Sequence, residues 1–218
     1  MRMTKSIKNE MLGLFEETYG DTKTALHYTT PFELMVAVVL SAQCTDERVN
    51  IVTKRLFPEF SGPEKILGLG LKGLEERIKD CGLYHSKAKN ILAACGILCE
   101  KYNGEVPHTF DELVALPGVG RKTANVLISI LYDVPAIAVD THVFRVSNRT
   151  KLAVGKTPLE VEKKLQKAIP IEKWSAAHHW LIWHGRKICK ARKPLCMECF
   201  LKGLCPSYEE APKDTRKK

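Results

Sequence analysis

The stretch Leu116-Pro117-Gly118-Val119-Gly120-Arg121-Lys122-Thr123-Ala124 sets a helix-ending proline before two glycines and a cationic helix start. It lies between a short helical segment, 110–115, and a longer one, 122–131. Pro117 closes the first, and the glycines permit a tight turn with close approach of the backbone to a ligand. The amides of Gly118, Val119 and Gly120 are then expected to point outward at the start of the second helix, an anion site suited to a phosphate. A Gly-x-Gly alone is also met by a plain helix–helix turn; the nine-residue string is more specific. Lys122 falls in the first helical turn, where the helix dipole disfavours a cation. Facing a partly buried cleft, it would have its free amine more available, a nucleophile able to form a Schiff base with a sugar carbon.

Outward from this hairpin the pattern is helical. Thr30-Pro31-Phe32-Glu33, Thr109-Phe110-Asp111-Glu112 and Thr157-Pro158-Leu159-Glu160 are capping boxes, two with proline at the first helical position. Gly62-Pro63-Glu64 marks another start. Stops are expected at Cys81-Gly82 and Asn103-Gly104, with glycine in the left-handed conformation, and Ser86 is expected to open a helix over 87–102. The best strand candidate, 134–139, contains a proline and suits an extended connector better. The fold class is therefore all-α. Pro135 is a plausible domain boundary, with the helix around 11–19 packing against the C-terminal part.

Chemistry at a sugar carbon needs a carboxylate to manage protons and offset positive charge. Val139-Asp140-Thr141-His142-Val143-Phe144-Arg145-Val146 offers one in Asp140. Capping the helix that starts at Thr141 is its more ordinary role, and the two roles are compatible. His142 reads as a packing or hydrogen-bonding residue.

Lys and Arg number 34 against 25 Asp and Glu, a net charge of +9, which suits a polyanionic partner because phosphate contacts release counterions. No apolar stretch reaches the ~20 residues a bilayer needs, and the N-terminus has no apolar signal core, so a cytoplasmic protein is expected. In that compartment clustered cysteines point to metal or chemistry. Four of the eight, Cys189, Cys196, Cys199 and Cys205, fall in one short loop. Their spacing has a single Cys-x2-Cys knuckle where zinc ribbons usually present two, and favours a [4Fe–4S] cluster modestly over zinc. Arg186, Lys187, Lys190, Arg192 and Lys193 form a run without acids, a phosphate-binding candidate once the loop is fixed. Cys44, Cys81, Cys95 and Cys99 read as small core residues, and Trp180 and Trp183 as packing residues.

The nine-residue string resembles the helix–hairpin–helix element of DNA-repair proteins. With Leu40-Ser41-Ala42-Gln43-Cys44-Thr45-Asp46, Gly82-Leu83-Tyr84-His85-Ser86-Lys87-Ala88, the Asp140 segment and the cysteine spacing, the chain resembles the endonuclease III family of DNA glycosylases over roughly residues 12–206. The resemblance implies a six-helix barrel domain (23–134, its hairpin element about 110–131) and a cluster domain from both termini (1–22 with 135–211), with a DNA cleft between them; the polar, charged tail over 212–218 is expected to be disordered. It implies Lys122 as nucleophile, Asp140 as the essential aspartate, the four clustered cysteines as ligands of a [4Fe–4S] group, and Gln43 and Leu83 as residues entering the duplex beside a flipped nucleotide. Gly118, Val119, Gly120, Lys187, Lys190, Arg192 and Lys193 are the expected further DNA contacts. The implied activity is removal of oxidised pyrimidines followed by β-elimination at the abasic sugar, by a nucleoid-associated monomer acting on double-stranded DNA with a damaged base or abasic site. The alternatives are a monofunctional adenine or thymine mismatch glycosylase and a non-enzymatic iron–sulfur DNA-binding protein. Ala37 stands where adenine glycosylases carry a glutamate, and Lys122 where they carry serine or tyrosine.

Overall fold

A computed structural model describes residues 3–20 and 22–209; the expected C-terminal tail lies outside them. The chain forms two compact units, one from its ends, Met1–Lys23 with Pro135–Lys218, and one from its middle, Thr24–Val134. Among the described residues every regular element is helical.

The middle unit carries six helices: α2 (Pro31–Leu40), α3 (Asp46–Leu56), α4 (Pro63–Ile78), α5 (Tyr84–Tyr102), α6 (Phe110–Val114) and α7 (Arg121–Tyr132). Helix α2 is buried along all of 32–40, so its period carries no amphipathic signal and its start depends on the cap. Thr30 Oγ1 accepts from Glu33 N–H at 3.2 Å. The return arm departs from the simple capping box: Glu33, itself buried, accepts from the N–H and hydroxyl of Thr29, each at 2.6 Å. A carboxylate in a buried helix start thus accepts two hydrogen bonds through Oε2, which offsets part of its desolvation. Within α4 the chain breaks helical geometry at Gly70 (φ 63°), a conformation that only glycine adopts at little cost.

The other unit contains α1 (Lys5–Tyr19), α8 (Thr141–Arg149), α9 (Pro158–Ala168), α10 (Trp174–Lys187) and the short α11 (Pro206–Glu209). Met11 and Phe15 of α1 pack with Val143 and Val146 of α8, Leu165 of α9, and Trp180 and Leu181 of α10. Each such side chain stabilises the fold by roughly 1.5–3 kcal/mol on burial. The N-terminal helix is thus built into the same core as the C-terminal ones, and Trp180 fixes the end of α1 by donating to Gly20 O at 2.8 Å. Gly185 lets α10 approach α8 closely, because a Cβ there would stand 2.8 Å from His142 Cβ.

Two local expectations change. The helix expected to open at Ser86 begins at Tyr84. Its preceding residue in left-handed conformation is Leu83 (φ 59°), while Gly82 keeps an ordinary φ. Cys44 and Cys99 are only partly buried, unlike the core residues Cys81 and Cys95.

Candidate functional site

The hairpin between α6 and α7 is set by short-range chemistry. Thr109 caps α6 by accepting from Glu112 N–H at 3.3 Å. Gly118 has φ +81°, and a Cβ there would lie 2.9 Å from Asn90 Cβ on α5, so this glycine is required twice over. Val119 is buried, and its N–H donates to Leu116 O at 3.0 Å. Of the three amides expected to face outward, this one is therefore spent inside the turn. Gly118 and Gly120 are both exposed. Gly120 is the N-cap of α7 and brings no side-chain cap. The first two residues of α7 are Arg121, stacked 5.2 Å from the Phe110 ring, and Lys122. Lys122 is exposed, not sheltered as its sequence context led us to expect.

Gln43 and Leu83, far apart in sequence, come together in the same unit. Both are left-handed, at φ 53° and 59°, and both are exposed, Leu83 by 57%. Their loops touch through the backbone, since a Cβ on Gly82 would stand 3.2 Å from Gln43 O. Beneath them the buried Lys87 ammonium donates to Leu40 O at 2.8 Å. An exposed leucine held in a left-handed conformation costs free energy that local propensity does not return, so tertiary packing imposes it.

In the other unit, Asp140 closes the extended connector after Pro135 and caps α8. Its Oδ1 accepts from Val143 N–H at 2.7 Å, and it is half-buried. His142 Nδ1 lies 3.1 Å from an Arg145 guanidinium nitrogen, and Arg145 itself donates to the Cys189 and Gly185 carbonyls at 2.9 and 2.8 Å.

The four clustered cysteines line one cavity of about 360 Å³, together with Arg149, His184, Ile188 and Leu201. Among the described residues no three His, Cys, Asp or Glu side chains are arranged to hold one metal ion. A zinc site needs four sulfurs within about 2.3 Å of a single point. Thiols spread around a cavity of this size instead suit a multi-iron group in which each cysteine meets its own iron. Burial pushes the Cys199 thiol up to about 11 and raises Cys196 and Cys205, and the charge of a bound metal group would oppose this by favouring the thiolates.

Two residues of this site carried no sequence signal. Arg149 donates toward Cys189 Sγ at 3.6 Å and to the carbonyls of Lys190 and Ala191 at 2.7 and 3.0 Å. His184 sits 3.7 Å from Cys199 Sγ through Nε2 and 3.1 Å from the Tyr19 hydroxyl through Nδ1. Burial drives His184 down to about 4, so the ring is neutral. Arg186, Lys190, Arg192 and Lys193 are exposed, as is Lys187, and Lys187 and Arg186 lie 4.9 and 5.8 Å from the Trp183 ring centre.

Residues 36–171 match the model of the HhH-GPD superfamily base excision DNA repair proteins, and residues 189–205 match the iron–sulfur binding domain of endonuclease III. The chain is 52% identical to endonuclease III of Rickettsia conorii over 94% of its length and 98% of the relative's. It is 51% identical to that of Haemophilus influenzae over 95% and 98%. The chain belongs to the endonuclease III family. A solved trapped endonuclease III–DNA covalent intermediate is similar with a TM-score of 0.92 and 49% identity, covering 96% of this chain and 99% of that one. The fold is accordingly the helix–hairpin–helix glycosylase fold, a six-helix barrel with a [4Fe–4S] cluster domain. As an endonuclease III family member, the protein is a DNA glycosylase and abasic-site lyase of base excision repair, and its partner is DNA. No described helix is long and apolar enough to cross a membrane.

Proposed function

We propose that this enzyme excises oxidised pyrimidines with Lys122 as nucleophile and Asp140 as its carboxylate partner. The observation that carries this is Lys122 itself, an exposed lysine in the first turn of α7 directly behind the hairpin. A cation there gains nothing from the helix dipole. Its neutral amine attacks C1′ of the damaged nucleotide, and the C1′–N bond breaks with its electrons leaving on the base. Asp140 receives the proton that the attacking amine must lose and offsets positive charge on the sugar. Ring opening gives an imine. Loss of a C2′ proton then breaks the bond to the 3′ phosphate, and water releases the lysine.

The remaining assignments follow the same reading. Cys189, Cys196, Cys199 and Cys205 hold the cluster, which supplies a fixed, charged scaffold for the loop that bears Lys190, Arg192 and Lys193. These residues, with Lys187 and the Gly118–Gly120 turn, hold phosphates. Gln43 and Leu83 enter the duplex where the nucleotide has left it. The units Met1–Lys23 with Pro135–Lys218 and Thr24–Val134 correspond to the cluster and barrel domains. The enzyme works as a monomer on damaged or abasic duplex DNA at the nucleoid, a placement supported by its net charge of +9.

The similar endonuclease III was solved as a covalent intermediate trapped on DNA, and the same trapping tests this chain. Borohydride reduces an imine to a stable amine, so wild-type protein on an abasic duplex becomes covalently attached at Lys122. Lys122→Gln gives no adduct and no strand nicking, while retaining DNA binding. An undiminished adduct in that variant, mapped away from the N-terminal amine, refutes the assignment. Base release without nicking would favour a monofunctional glycosylase.

A further inference from the structure

Cys44 and Cys81 sit on the two loops that carry Gln43 and Leu83. Cys81 is 1% exposed and shares a hydrogen bond with the Cys44 thiol, whereas Cys44 is only partly buried. Each is anchored by its backbone to the end of a helix, Cys44 N–H donating to Ser41 O at 3.1 Å and Cys81 N–H to Ile78 O at 2.9 Å. The loops are also in contact at Gly82 and Gln43. The third group is the ammonium of Lys87, a residue only 4% exposed, pinned on Leu40 O and acting electrostatically on both sulfurs. A buried cation beside a thiol favours its thiolate, and here it works against the burial that pushes Cys81 up to about 12. The proposed lyase chemistry assigns no role to any of these three side chains.

We propose that Cys44 and Cys81 form an oxidation site, at which a hydroperoxide converts the dithiol into a disulfide that clasps the Gln43 loop to the Leu83 loop. The accessible sulfur reacts first. The Cys44 sulfur attacks the peroxide, the O–O bond breaks, the departing oxygen takes the Cys44 proton and leaves as an alcohol or water, and Cys44 becomes a sulfenic acid. Cys81 then attacks the Cys44 sulfur, and the S–O bond breaks. The departing hydroxide takes the Cys81 proton and leaves as water. Two electrons pass from the pair of sulfurs to the peroxide, and a thiol reductant returns them. Lys87 assists the second step by stabilising the negative charge that develops on the Cys81 sulfur as its proton departs. The consequence for DNA rests on the reading of Gln43 and Leu83 as duplex-entering residues: loops tied to one another lose the freedom to adapt as the strand opens.

The test uses the full-length, cluster-loaded protein titrated with hydrogen peroxide, its visible absorption followed so that only samples with an intact cluster are compared. Digestion without reduction is expected to yield one peptide pair joining Cys44 to Cys81, lighter by two hydrogens and separated by dithiothreitol. Cleavage of an abasic duplex is expected to slow at least about threefold in the oxidised protein and to recover on reduction. Cys44→Ser and Cys81→Ala each abolish both the cross-link and the slowing. Peroxide that oxidises other thiols while leaving Cys44 and Cys81 unjoined overturns the site. A quantitative cross-link with unchanged cleavage overturns the clasp. Failure of the reduced protein to cleave at all would instead sink the enzymatic reading, since the cross-link is scored by mass without DNA.

Discussion

Helices α7 and α8 begin in opposite ways. At α8, Asp140 is a side-chain cap whose negative charge suits the positive end of the helix dipole, and its Oδ1 holds Val143 N–H at 2.7 Å. At α7, Gly120 provides no side-chain cap, no acidic residue occupies the first turn, and two cations, Arg121 and Lys122, stand there instead. One start is stabilised by the residue assigned to its chemistry; the other carries its chemical residue against the local electrostatics. A residue that improves its helix has a structural reason to be present whether or not it reacts. A residue that weakens its helix points more directly to function. This is why Asp140 reads first as a cap, whereas Lys122 invites a chemical account from the hairpin alone.

The largest effect that separates the two roles of Asp140 comes from Asp140→Asn. Asparagine caps helices as well as aspartate does, so the melting profile is expected to stay close to wild type. Base release is expected to fall by about 10²–10⁴-fold, the usual contribution of a proton-managing group. Asp140→Ala should show the same catalytic loss together with about 1 kcal/mol of destabilisation. If Asp140→Asn released bases at the wild-type rate under single-turnover conditions, its role would be the cap alone.

The cysteine loop depends on its cofactor, and it tests how far a start such as that of α8 depends on its surroundings. Arg149, at the end of α8, is committed to the Lys190 and Ala191 carbonyls and lies against Cys189 Sγ. Cys199→Ser is therefore expected to lower the iron content per chain and the yield of folded protein. Limited proteolysis should open residues 189–205 while sparing the α6–α7 hairpin. Equal protease sensitivity of both regions would show that the hairpin also depends on the cluster.

What could be read from the sequence divides along the same lines. The threonine caps of α2, α6 and α9, Pro117, and the glycine at 118 act over one helical turn, and each left a short string whose physics is local. The cysteine spacing was equally legible because ligands of one group must lie close in the chain loop that wraps it. Sequence patterns did not show that Leu83, rather than Gly82, adopts the left-handed conformation, since packing against the Gln43 loop decides it. Nor did they pair Cys44 with Cys81, or place Arg149 and His184 beside the cysteines. Those contacts join helices whose mutual packing has no periodic signature, and an arginine or histidine at a helix end is indistinguishable in sequence from a solvated one.

Gly118→Ala is the next smaller effect and touches α7 from the side of its turn. The substitution meets both φ +81° and a 2.9 Å approach to Asn90 Cβ. It should destabilise the barrel unit by about 1–3 kcal/mol. Iron content should remain unchanged, because the cysteine loop belongs to the other unit. An iron-deficient Gly118→Ala protein with an unshifted melting midpoint would reverse this account.

The smallest effect bears most directly on the two helix starts. If Lys122 stands against the dipole of α7, its removal should stabilise the fold as it destroys activity. Lysine and glutamine have nearly equal helix propensities, so Lys122→Gln changes the charge of the first turn and little else. The expected gain is a few tenths of a kcal/mol at low ionic strength, read as a small rise in the midpoint of thermal or urea unfolding. It should shrink toward zero in about 1 M salt, where the screening length falls to roughly 3 Å. Arg121→Gln supplies the comparison. It removes the same charge one residue earlier, but it also gives up the guanidinium stacked 5.2 Å from the Phe110 ring, worth about 0.5–1 kcal/mol at an exposed site. Arg121→Gln should therefore be neutral or destabilising where Lys122→Gln is stabilising. A Lys122→Gln protein less stable than wild type at low salt would mean that the lysine has a structural partner, and the contrast between α7 and α8 would fail.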